Sequence, residues 1–107
     1  MKKLFTLLGL ICLFNMSAQI STGNTNNSGT YSSAIGFQTS AVGDYSTAMG
    51  YNTTSSASYC TAMGYATTAS GSTSTAMGVN TTASGDGSTS LGNQTIASAN
   101  NSSAMGA

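Results

Sequence analysis

Tyr45-Ser46-Thr47-Ala48-Met49-Gly50 is the stretch on which the reading of this chain turns. Its pattern returns as Tyr31–Gly36 (YSSAIG), Tyr59–Gly64 (YCTAMG), Thr73–Gly78 (TSTAMG), Gly87–Gly92 (GSTSLG) and Asn101–Gly106 (NSSAMG). The closing glycines Gly36, Gly50, Gly64, Gly78, Gly92 and Gly106 follow one another every fourteen residues without a gap. A short, ungapped period marks a solenoid, in which each repeat is one coil stacked on the next. Fourteen residues are too few for a helix pair, and a column of β-branched threonines favours strand. Two strands of about five residues joined by two tight turns account for that length. The expected fold is therefore all-β, a parallel β-roll or solenoid of fourteen-residue coils over residues 29–107.

Pleating sends alternate side chains to opposite faces, so each column can be assigned. In the first strand, Ser46, Ala48 and Gly50 and their equivalents share a face; in the second, Thr53, Ser55 and Ala57 do. Both sets are small and suit the inside of a narrow roll. The expected interior is Ser32, Ala34, Ser46, Ala48, Cys60, Ala62, Ser74 and Ala76. On the outside, the second strand offers Asn52, Thr54 and Ser56, a solvated surface. The first strand offers two apolar ladders, Ile35, Met49, Met63, Met77, Leu91 beside Phe37, Tyr51, Tyr65, Val79. A soluble monomer rarely exposes so long an apolar stripe. Each such side chain gains ~1.5–3 kcal/mol on full burial, so the stripe reads as an interface. The other reading, a methionine core inside a wider monomeric roll, stays open at this stage.

Lys2 and Lys3 are the only basic residues, and they precede an apolar run, Leu4–Phe14, followed by Asn15-Met16-Ser17-Ala18. A basic start, an apolar stretch of this length and small residues after it read as a secretory signal peptide over residues 1–18. The run is too short to span a bilayer. Residues 19–28 are polar and off the repeat, a flexible lead-in or cap. Beyond residue 18 the only charges are Asp44 and Asp86, a formal charge of −2. Capture of nucleic acid or an anionic membrane needs Lys or Arg, so neither is an expected partner. The chain stops in mid-repeat, which reads as a piece of something longer or a truncated gene product.

Catalysis finds little to work with. General acid–base chemistry needs a titratable group at the substrate, and the sequence has no His and no Glu. Asp44 and Asp86 sit in one column three coils apart, about 14 Å at the usual strand spacing. A glycosidase pair needs roughly 5–9.5 Å. They read as solvated turn residues. Cys60 takes a serine's place in the inward column, a small buried thiol with no base beside it. No enzyme activity, metal or cofactor is expected. Sequon-like triplets such as Asn52-Thr53-Thr54 read as a by-product of the repeat.

Ser32-Ser33-Ala34-Ile35-Gly36, Ser46-Thr47-Ala48-Met49-Gly50 and Ser74-Thr75-Ala76-Met77-Gly78, with Thr67-Thr68-Ala69-Ser70-Gly71 as second strand, resemble one known repeat. It is the YadA-like head repeat of trimeric autotransporter adhesins, whose coils carry a Ser-Val-Ala-Ile-Gly type motif. The resemblance covers Gly29–Ala107. It implies a left-handed roll, a homotrimer with the first-strand ladders facing the partners, and adhesion to host matrix proteins, glycans or other surfaces. It also implies a secreted or bacterial cell-surface location. Here Ser or Thr stands at the family's Val position, and Met mostly replaces Ile, which makes a softer seam. The stalk and membrane-embedded barrel of the family have no counterpart in this chain, so no membrane anchor is expected within it. Two alternatives remain, a structural surface coat or fibre, and an ice-binding solenoid. Ice binding needs two outward Thr ranks at i and i+2, whereas Thr53-Thr54 and Thr67-Thr68 are adjacent and face opposite ways.

Overall fold

The computed structural model describes residues 23–107. The expected signal peptide, residues 1–18, lies outside the described residues. Each of the first five repeats contributes one five-residue strand and one two-residue strand, and the sixth one four-residue strand. The long strands are β1 (Ser33–Phe37), β3 (Thr47–Tyr51), β5 (Thr61–Tyr65), β7 (Thr75–Val79), β9 (Thr89–Asn93) and the four-residue β11 (Ser103–Gly106). The short ones are β2 (Ser40–Ala41), β4 (Thr54–Ser55), β6 (Thr68–Ala69), β8 (Thr82–Ala83) and β10 (Ile96–Ala97). The long strands form a six-stranded sheet in the order β1-β3-β5-β7-β9-β11; the short strands form a five-stranded sheet. Every pairing is parallel and offset by one repeat, as in Ala48↔Ala62, Met49↔Met63 and Thr54↔Thr68. The architecture is a parallel β-solenoid of fourteen-residue coils.

The second strand is shorter than the five residues expected from repeat length. Its entry is a bend rather than a pleat: Asn52, Ala66 and Asn80 stand at φ of 54, 53 and 53°, in the left-handed region. The other turn has the same device. Ser46 N–H donates to the Gly43 carbonyl at 3.3 Å, with Tyr45 between them at φ 57°. Two turns of this kind consume residues that a five-residue strand would have used.

Small side chains close the interior. Ala62 lies in one buried cluster with Ala69, Ala76, Ala83 and Cys60, so alanines of the two sheets pack directly together. Ser32, Ala34, Ser46, Ala48, Cys60, Ala62, Ser74 and Ala76 are all buried. The column Thr39, Thr53, Thr67 and Thr81 fills the second sheet's inward side. Gly50 departs from the pleated assignment, because it is exposed rather than inside. Its φ is 119°, and a Cβ there would run into the Gly64 carbonyl of the next coil, not into the roll. The position closes one coil against the next, and an L side chain has no room for that approach.

Residues 23–28 keep the period. Asn26 forms a parallel bridge with Ser40; its N–H donates to the Thr39 carbonyl and its carbonyl accepts from Ala41 N–H, both at 2.8 Å. The described part of the lead-in thus extends the short-strand sheet by one step.

Candidate interaction surface

The outer face of the six-stranded sheet presents three ranks. Thr47, Thr61, Thr75 and Thr89 form the first and are half-buried. Ile35, Met49, Met63, Met77, Leu91 and Met105 form the second, each aligned with its neighbour along the sheet. In this rank Ile35, Met49, Met63 and Leu91 are half-buried within the single chain, while Met77 is just exposed and Met105 is 72% exposed. The third rank, Phe37, Tyr51, Tyr65 and Val79, is exposed throughout. Its rings stack: Phe37 and Tyr51 have centroids 5.5 Å apart, Tyr51 and Tyr65 5.3 Å. Parallel pairing sets each rank in register from coil to coil, and the rings of the third stack on one another within the single chain. Since the interior is already filled by Ala, Ser and Thr, the methionines lie outside it.

The short-strand sheet has a different outer face. Ser40, Thr54, Thr68 and Thr82 are half-buried, with Asn52, Ser56, Ser70, Asn80 and Ser84 exposed around them. No strand among the described residues carries two outward threonines at i and i+2: β4, β6 and β8 have one each, β2 and β10 have Ser40 and Ile96 there, and beside Thr47 comes Met49.

The two carboxylates lie three coils apart in one turn column. Asp44 and Asp86 are exposed, yet each does more than meet solvent. Thr30 N–H donates to Asp44 Oδ1 and Ser72 N–H to Asp86 Oδ1, both at 2.9 Å, and each donor lies one coil back. Asn100 Oδ1 accepts from Asp86 N–H at 3.1 Å in the same manner. These bonds tie turn to turn. The buried Cys60 Sγ–H donates to the Ala57 carbonyl at 2.8 Å, as Ser46 Oγ–H does to Gly43 at 2.6 Å. The thiol is a serine substitute. Among the described residues no group of three His, Cys, Asp or Glu could hold a metal ion. No helix there is long and apolar enough to cross a membrane.

One exposed feature lies outside those expectations. Tyr31, Tyr45 and Tyr59 occupy the turn before three consecutive long strands and stack as a second aromatic ladder. Tyrosine at the first position of three successive copies was the available signal.

Stacked coils with one apolar and one hydroxylated face define a β-solenoid repeat module. The chain belongs to the YadA head domain repeat family, whose model matches residues 28–53, 61–81, 69–95 and 83–107. It is a head-repeat segment of the YadA-like trimeric autotransporter adhesin type, a class of bacterial surface adhesin modules that are typically non-catalytic. No curated protein and no solved structure matches the chain.

Proposed function

We propose that the chain works as a non-catalytic adhesin head, assembled as a homotrimer and attaching to host matrix proteins, glycans or other surfaces. In this reading the coils wind left-handed, residues 1–18 are a signal peptide, and the head of residues 29–107 acts outside the cell. The observation that carries it is the preformed stripe Ile35, Met49, Met63, Met77, Leu91 with Phe37, Tyr51, Tyr65 and Val79. Contiguous apolar surface of this kind marks an interaction site. Three copies around one axis turn their stripes inward and leave the Asn, Ser and Thr face outward.

That outer face repeats the same hydrogen-bonding groups once per coil on each protomer. Single contacts to uncharged hydroxyl and amide groups are weak, and three parallel arrays convert them into avidity. The test is adhesion. Beads coated with the assembled head are expected to be retained above bare beads on at least one of a panel of matrix proteins, glycans and cells. Retention no better than bare beads throughout would overturn the adhesive reading in favour of a structural coat.

A further inference from the structure

The three turn tyrosines are exposed and stacked on one another. Tyr31, Tyr45 and Tyr59 are 79%, 52% and 60% exposed. Tyr31 and Tyr45 have ring centroids 5.4 Å apart at 25°, and Tyr45 and Tyr59 5.1 Å apart at 1°. Two of the three backbones are tied to the preceding coil: Tyr45 N–H donates to the Thr30 carbonyl at 2.8 Å and Tyr59 N–H to the Asp44 carbonyl at 2.9 Å. All three stand at φ between 56 and 60°, a conformation costly for a bulky residue. Gly87 and Asn101, which accept it more readily, occupy the same column two and three coils beyond Tyr59. Exposed phenols, parallel rings and fixed register therefore coincide at one place, outside the stripe assigned to assembly.

We propose that this ladder is an oxidative modification site, at which a haem peroxidase with hydrogen peroxide joins Tyr45 covalently to Tyr31 or Tyr59. Each phenol gives up one electron and its hydroxyl proton. The two phenoxyl radicals form a bond between ring carbons ortho to oxygen. Each coupled carbon then passes its hydrogen to its own ring oxygen, which restores both phenols. The two electrons and two protons released reduce one hydrogen peroxide to two waters. Stacking supplies proximity, because coupling between groups already held together is effectively unimolecular. Tyr31 and Tyr59 are two coils apart, about 10 Å at the usual strand spacing, and do not meet directly. The product is a clamp across neighbouring coils, formed without a cysteine pair.

The test uses the full chain with Tyr65→Phe, which leaves Tyr51 without a tyrosine neighbour in its own ladder. After peroxidase and hydrogen peroxide, dityrosine fluorescence and the mass of the uncoupled-size chain are read. That chain and its Tyr59→Phe derivative, which keeps the Tyr31–Tyr45 pair, are expected to form an intrachain link. The Tyr45→Phe derivative keeps two tyrosines in the ladder but no adjacent pair, and its yield should fall roughly tenfold. A Tyr31→Phe/Tyr59→Phe derivative, with Tyr45 intact, should fall equally. Phe preserves ring stacking, and circular dichroism checks that each variant keeps its β signal. Equal intrachain yields from the Tyr59→Phe and Tyr45→Phe derivatives, or links formed only between molecules, would overturn the assignment. Sedimentation of the untreated chain reports on trimer assembly separately, so failure of either idea is recognisable.

Discussion

Thr67 is wholly buried, and its Oγ1 has no hydrogen-bond partner; Thr39, Thr53 and Thr81 repeat the arrangement. A buried hydroxyl without a partner costs about 1–3 kcal/mol. Its γ-methyl and β-branching fill the inward side of the short-strand sheet, and valine would fill it equally. Ser46 is the opposite case, since its Oγ–H reaches the Gly43 carbonyl at 2.6 Å and supports the turn. Thr67→Val is therefore expected to raise the unfolding midpoint by a few degrees, and Ser46→Ala to lower it by a few degrees, a loss of about 1 kcal/mol of stability. Thermal unfolding at one fixed protein concentration reads both. A lower midpoint for Thr67→Val would mean that its hydroxyl is satisfied in solution.

At the level of strands, the fourteen-residue period made much of the fold legible, because parallel stacking converts each sequence column into a physical ladder. Parity then places Ala48 and Ala62 on the inward face and Met49 and Met63 on the outward one. Parity fails where the backbone leaves the pleat. Asn52 at φ 54° cuts the second strand to Thr54–Ser55, and Gly50 at φ 119° meets the next coil instead of the interior. No residue type announces the turns, since Tyr, Thr, Ala, Gln and Asn all appear there with positive φ. The tyrosine ladder escaped for that reason: a bulky ring at such a backbone is not a turn signal. Face assignment can be tested with one pair of substitutions. Ala62→Leu forces three extra carbons between two sheets that meet through alanine, and should cost roughly 3 kcal/mol or more. Thr68→Leu, on the outer face of β6, should stay within about 1 kcal/mol. Equal loss of melting temperature from the two changes would put the interior on the wrong side of the sheets.

For the whole molecule the deciding quantity is what the stripe gains by being covered. Nine large apolar side chains at ~1.5–3 kcal/mol each would contribute roughly 13–27 kcal/mol on full burial. Stacking along the sheet already shields much of this surface in the single chain, with Met49 and Met63 half-buried and Tyr51 44% exposed. About half of the gain is then left for association, on the order of 7–13 kcal/mol. Freezing partners together costs about 4–15 kcal/mol per binding step, so assembly is governed by the centre of the stripe, and single changes there should tip it. Met63 occupies that centre, in β5 between Met49 and Met77. Met63→Asp would bring three carboxylates together around one axis in an apolar setting, an uncompensated burial costing several kcal/mol per charge. Its half-buried place on a single chain leaves room for the carboxylate to reach water, so the coil itself should survive. Sedimentation is therefore expected to give three protomer masses for the unaltered chain and one for Met63→Asp, both with the same β signal by circular dichroism. A stable, soluble monomer of unaltered sequence that binds no apolar dye would remove the stripe as an interface.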